Sequence, residues 1–177
     1  MTQRGRLLSR LVAVVAVPIS LVGVFVAPAH ATEPSDAQLV SSQRSAVSVA
    51  GSERGLQIQT IMARRAIVSR FPEIREIGGV RPDSMKWHPE GLAIDVMIPD
   101  WQTPAGRALG DRIAKFVSDN GRRFGLDNLI WQRMYIPAEG KPYLMNDAGN
   151  PDANHFTHVH IATYGGGYPT GRENFLD

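Results

Sequence analysis

The stretch His88-Pro89-Glu90-Gly91-Leu92-Ala93-Ile94-Asp95-Val96-Met97-Ile98 decides how the rest of the chain reads. A histidine opens a tight Pro/Gly turn, and an aspartate follows inside an apolar run. The run Leu92 to Ile98 predicts a strand. Its period of two puts Leu92, Ile94, Val96 and Ile98 on one face and Ala93, Asp95 and Met97 on the other. The apolar face is the core face, so Asp95 points toward whatever His88 faces across the turn. An aspartate in such a strand is also compatible with an exposed edge or with a carboxylate paired to an arginine.

A second stretch, Asn154-His155-Phe156-Thr157-His158-Val159-His160-Ile161-Ala162, changes that balance. His158 and His160 are two apart in β-branched, apolar surroundings. On a strand they share a face with their backbones roughly 6 to 7 Å apart, so both can converge on one point. The chain has 5 histidines, and all but His30 fall in these two stretches. Imidazole nitrogens with one carboxylate oxygen suit zinc, with three protein ligands and a fourth position open to water.

The pattern Gly79-x-Arg81, His88-x-x-Gly91-x-Ala93-x-Asp95 and His158-x-His160 resembles the zinc metallopeptidases that include D-alanyl-D-alanine carboxypeptidases and dipeptidases. These share a fold with lysostaphin-type and hedgehog domains. The resemblance is closest to exported actinobacterial and fungal carboxypeptidase-like domains, and runs from about Gly55 to Thr163. It implies an α+β fold: a small, largely antiparallel central sheet with two main helices. It further implies that His88, Asp95 and His160 bind zinc, that His158 stands beside the reacting carbonyl, and that Arg81 holds a substrate carboxylate or an oxyanion. One departure concerns the acidic residue that family members commonly carry at or just before the His-x-His. Here Thr157 precedes the motif, which leaves Glu90 and Asp152 as candidate replacements.

Working outward to the N-terminus, residues 1–31 hold Arg4, Arg6 and Arg10, an apolar run from Leu11 to Val26, and Ala29-His30-Ala31. Positive start, apolar middle and small-x-small end predict a secretory signal peptide cleaved after Ala31. A retained anchor is the alternative, although the run is short and Pro18 interrupts it. Cleavage removes three arginines and no acid, leaving 16 basic against 17 acidic residues and a net charge of about −1. The positive balance of the full sequence therefore belongs to the targeting segment. No basic stripe with interleaved aromatics suggests a nucleic-acid partner. With no cysteine, neither disulfides nor thiol chemistry is available. Residues 32–54 read as a flexible leader, and residues 55–177 as one metallopeptidase-like domain.

Within that domain, Ile58, Ile61, Met62, Ala66 and Val68 lie near a helical period between Gly55 and Phe71, with arginines between them. A short strand from Ile74 to Val80 then delivers Arg81, which without the resemblance reads equally as a surface residue of an Arg-Pro-Asp turn. Trp87 suits either a cleft wall or the core. Thr103 can cap a second helix with Pro104 in its first position, and Ala105, Leu109, Ile113, Phe116 and Val117 form its apolar stripe. Gly125 can stop it. Leu126 to Ile136 reads as one strand, which puts Trp131 and Tyr135 on the same face. A short strand from Tyr143 to Met145 and a loop from Asn146 to Asn154 lead into the His-x-His strand. His155 faces away from His158 if that strand is continuous, and otherwise precedes it.

Together these readings predict a secreted, zinc-dependent peptidase acting on peptidoglycan peptides at bonds involving D-amino acids. The alternative is a zinc-containing module that holds the cell wall without cutting it. In either case the membrane is met only through the signal peptide.

Overall fold

The computed structural model describes residues 51–173 and 175; the predicted signal peptide and most of the predicted leader lie outside the described residues. Helix α1 spans Ile58–Arg70 and strand β1 spans Ile77–Gly78. Strand β2 is Ala93–Met97, α2 is Pro104–Asp119 and the short α3 is Gly121–Phe124. Strands β3 (Leu126–Trp131), β4 (Met134–Pro137), β5 (Tyr143–Leu144) and β6 (His158–Thr163) complete the fold. The strands form one sheet in the order β1-β2-β6-β3-β4-β5, with every neighbouring pair antiparallel. This is the α+β architecture with two main helices that the sequence implied.

One face of the sheet is the core. Ile94 and Val96 from β2, Leu129 and Trp131 from β3, and Val159 and Ile161 from β6 pack against Ile61 and Ile67 of α1 and Ile113 and Val117 of α2. Burying each aliphatic side chain stabilises the fold by roughly 1.5–3 kcal/mol, which accounts for the strict alternation along β2 and β6. Alternation also sends Asp95, His158 and His160 to the opposite face. Register then joins the two motifs, because Asp95 pairs with His160 across the β2–β6 ladder.

Helix α2 begins where expected: Thr103 Oγ1 accepts the Gly106 N–H at 3.0 Å and Pro104 occupies the first turn. Its buried side is Gly106, Leu109, Gly110, Ile113, Ala114 and Val117, whereas Ala105 is exposed. Gly110 permits close approach to β3, since a Cβ there would overlap the Trp131 indole, whose Nε1 donates to Asp111 Oδ1 at 2.9 Å.

Helix α1 buries more than the expected stripe: Ile61 and Val68 are buried and Met62 and Ala66 pack against the core as expected, and further residues join them. Thr60, Ala63, Arg64 and Ile67 face inward with Ile61 and Val68. Arg64 can be buried because Glu53 Oε1 accepts from its Nη1 at 3.1 Å and the Gly51 carbonyl accepts from its Nη2. Glu53 also accepts from Arg65 at 2.9 and 2.7 Å, so residues 51–54 are tied to the helix. The first helical N–H groups lack a side-chain cap. Ile58 and Gln59 instead donate to the carbonyls of Gly167 and Gly165, both at 2.9 Å.

The segment read as one strand from Leu126 to Ile136 is a hairpin. Gln132 and Arg133 form its two-residue turn, both with left-handed φ, at 49° and 64°. Ile130 therefore pairs with Tyr135 and Trp131 with Met134, which places Tyr135 on the face opposite Trp131. Tyr135 stacks on Tyr143 of β5, with ring centroids 5.0 Å apart.

Candidate metal centre

His88 reaches the site from the turn before β2. Gly91 N donates to the His88 carbonyl at 3.1 Å and Leu92 N to the Trp87 carbonyl at 2.8 Å, closing the turn. Gly91 has φ 68°, and a Cβ there would overlap the Gly55 carbonyl oxygen. The turn therefore needs glycine twice, for its backbone angle and for the close approach. Gln57 fastens the same turn, its N–H donating to the Gly91 carbonyl and its Nε2 to the Glu90 carbonyl, each at 3.0 Å. Trp87 is neither core nor fully exposed, and Lys86 Nζ lies 4.8 Å above its ring.

His88 is 2% exposed, and its Nδ1 donates to the Gly79 carbonyl at 2.9 Å. A carbonyl only accepts, so Nδ1 carries the proton and Nε2 keeps its lone pair. That Nε2 lies 3.3 Å from His160 Nδ1 and 3.3 Å from Asp95 Oδ2. His160 Nδ1 lies 2.8 Å from Asp95 Oδ1. The ligand atoms of His88, Asp95 and His160 all fall within 4.8 Å of one another, and all three residues are buried. Two nitrogens and a carboxylate facing one point could hold a metal ion.

Asp95 supplies the negative charge at this point. Burial pushes the Asp95 carboxyl upward, but the neighbouring imidazoles, His160 foremost, then His88 and His158, outweigh burial and hold it well below the usual carboxylate range. Arg81 Nη1 reaches Asp95 Oδ2 at 2.8 Å from a side chain that is 46% exposed, while its Nη2 lies 3.6 Å from Asp83 Oδ2. The arginine thus borders the carboxylate and solvent together.

His158 Nε2 stands 3.6 Å from Asp95 Oδ1, beside the three-residue cluster. Burial lowers its pKa, opposed by the Asp95 charge and reinforced by His160. His155 precedes β6, with φ 54°, and its ring lies 5.0 Å from the His158 ring and 5.6 Å from that of His160. Burial first, then His158 and His160, push His155 down to about 4. Its left-handed backbone removes the alternation that would have turned it away, so all four histidines outside the predicted signal peptide meet here.

The loop that carries His155 is braced by the β3–β4 turn. Gln132 N donates to the His155 carbonyl and Arg133 N to the Asn154 carbonyl, both at 2.9 Å. Of the two acids the sequence left open, Asp152 accepts from Thr157 Oγ1 at 2.7 Å, and Thr157 Oγ1 lies 2.9 Å from His158 Nδ1. Glu90 is met at its backbone carbonyl by Gln57 and by the Tyr168 hydroxyl, each at 3.0 Å.

No curated protein and no solved structure matches the chain. The family model described as VldE, C-terminal domain, matches residues 52–156, a span holding His88, Asp95, Arg81, Asp152 and His155 and ending just before His158 and His160. That match covers more than half of the sequence, and the chain belongs to the VldE C-terminal domain family.

Proposed function

We propose that this is an exported zinc-dependent peptidase-like protein that acts on peptidoglycan peptides, at bonds involving D-amino acids. The observation that carries the reading is the convergence of His88 Nε2, His160 Nδ1 and the Asp95 carboxylate. Two atoms each about 2.0–2.2 Å from a tetrahedral centre lie roughly 3.3–3.6 Å apart. The His88–His160 and His88–Asp95 separations, both 3.3 Å, are of that size. The His160–Asp95 separation of 2.8 Å is shorter because a proton bridges it. Two imidazoles and one carboxylate form the three-ligand set of a zinc site that keeps a position for water.

Zinc held there would polarise a scissile carbonyl and lower the pKa of water enough to supply a nucleophile near neutral pH. The remaining work falls to the chain's own residues. His158 offers Nε2 for proton transfer at the edge of the cluster. Arg81 offers a planar guanidinium to a terminal carboxylate of the substrate. The substrate class follows from the resemblance of the three motifs to D-alanyl-D-alanine carboxypeptidases. Residues 1–31, read as a signal peptide, would deliver the protein to the compartment where such peptides occur.

Arg81 also favours a second reading. Its 2.8 Å pair with Asp95 engages the guanidinium internally, and Thr157 stands where an acid is expected. Both suit a wall-binding module that retains peptide without hydrolysis. The purified protein and Asp95→Ala should be compared by elemental analysis, then incubated with peptides ending in D-alanyl-D-alanine and with wall fragments. About one zinc per chain, lost in the variant, with new termini by mass spectrometry, supports the peptidase. Zinc with retention but no new termini supports the module, and no zinc in the wild type rejects both.

A further inference from the structure

We propose that Asp152 and Thr157 form a hydrogen-bond chain that fixes the tautomer of His158 and aims its Nε2 lone pair at the metal centre. The inference rests on the peptidase reading for its purpose and on geometry for its substance. A threonine hydroxyl carries one proton. Asp152 Oδ1, 2.7 Å away, can only accept, so the hydroxyl proton goes there. The lone pair of Thr157 Oγ1 is left facing His158 Nδ1 at 2.9 Å, and this contact is a hydrogen bond only if Nδ1 supplies the proton. Neutral His158 then has a bare Nε2, the atom 3.6 Å from Asp95 Oδ1.

The chain is held by its own turn. Asn154 N donates to the Asn150 carbonyl at 3.0 Å, and His155 N and Phe156 N donate to the Asp152 and Pro151 carbonyls, each at 2.9 Å. The Asp152 backbone is therefore set by the same bonds that position His155, and its carboxylate meets Thr157 without reaching the centre itself. The acid missing from the position before the His-x-His is supplied five residues earlier, through a hydroxyl. Asp152 and Thr157 are positioning residues, and His158 is the group that faces the substrate. Orientation of a site imidazole by such an outer partner typically changes activity by about 10- to 100-fold.

The tautomer can be read without turnover, from two-bond proton–nitrogen correlations of the His158 ring in the ¹⁵N-labelled full chain, with and without added zinc. Wild type and Thr157→Ser should show a protonated Nδ1 and a bare Nε2. Thr157→Val, of nearly the same shape, should move His158 toward the Nε2–H form with zinc content unchanged. Asp152→Ala should give a mixture, because the freed hydroxyl can then donate to Nδ1. On a peptide substrate, Thr157→Val should lower kcat by about 10- to 100-fold with little change in KM. A wild-type ring protonated at Nε2, or a Thr157→Val ring unchanged from wild type, overturns the proposal even if zinc binds and peptides are cut. The expected tautomer in a protein that neither binds zinc nor cuts peptide supports the chain and sinks the peptidase reading instead.

Discussion

Gly91→Ala tests the link between backbone geometry and the metal centre. At Gly91, φ is 68°, in the left-handed region, where an L side chain costs roughly 1–2 kcal/mol. The added Cβ would also overlap backbone: the Gly55 carbonyl oxygen and carbon and the Leu56 Cα. No rotamer change relieves a backbone contact, so an overpacking cost of about 1–3 kcal/mol is added. The sum is roughly 2–5 kcal/mol, set against about 0.4–1 kcal/mol gained from a less flexible unfolded chain. The loss wins.

Relaxation would have to move the turn, and the turn carries His88, whose carbonyl accepts the Gly91 N–H. His88 Nε2 is held 3.3 Å from two partners, so a shift of about 1 Å removes it from the ligand set. Gly91→Ala should therefore lower the urea midpoint by the equivalent of about 2–4 kcal/mol and reduce bound zinc well below one per chain. Denaturation followed by circular dichroism, with elemental analysis of the same samples, measures both. A change under about 1 kcal/mol together with full metal occupancy would refute the claim that this approach sets the His88 position.

Two further predictions use the rim of the site. Arg81→Gln should keep zinc and lower kcat/KM roughly 10- to 100-fold for peptides with a free terminal carboxylate, the size expected for a lost hydrogen bond to a charged group; equal loss on amide-capped peptides would remove Arg81 from carboxylate recognition. His155 is pushed down to about 4 from 6.5, so the unfolded chain binds more protons between those values, and stability is full above pH 6.5 and falls toward pH 4. Screening of this part-buried ring trims the loss to about 1–2 kcal/mol, and denaturation of His155→Gln across that window should show a correspondingly flatter profile, with an identical profile ruling the assignment out.

What was legible in the sequence follows the parts where local pattern and tertiary packing agree. Period two along β2 and β6 put Asp95, His158 and His160 on one face because the alternate positions Ile94, Val96, Val159 and Ile161 are wholly buried. Thr103 and Pro104 marked the start of α2 through local chemistry alone. The β3–β4 turn was not legible, because Gln132 and Arg133 carry none of the Gly or Asn preference of a left-handed pair. They are held there by distant carbonyls, those of His155 and Asn154, and by Arg133 Nε and Nη2 donating to the Met145 carbonyl at 3.1 and 2.8 Å. Missing the turn kept Tyr135 in step with Trp131 and put it on the wrong face. The burial of Arg64 was not legible for a related reason, since a helical arginine belongs outside unless its partners are brought to it, and Glu53 and Gly51 are. The Asp152–Thr157 contact has only its five-residue spacing as a signal, and that spacing carries no meaning until the turn between them is known.

The positions of the site residues divide them into two mechanical classes. Asp95 and His160 face each other on adjacent strands, and β6 lies between β2 and β3 with every residue buried. Shifting either one would break ladder bonds and displace Ile94 or Ile161 from the core. His88 and Arg81 come from the connection between β1 and β2, where a single glycine and the Gln57 clasp set the path. His155, Thr157 and Asp152 come from the loop before β6, braced by a turn that belongs to the α2–β5 excursion. Two of the three residues that could hold a metal ion, with His158, are thus referenced to the sheet, while His88 and the groups that would orient substrate and the His158 ring are referenced to loops. Changes in the loops can retune substrate and proton handling without moving Asp95 or His160. Changes that slip the β2–β6 register by one residue would turn every ligand on the slipped strand to the core face and abolish the site at once.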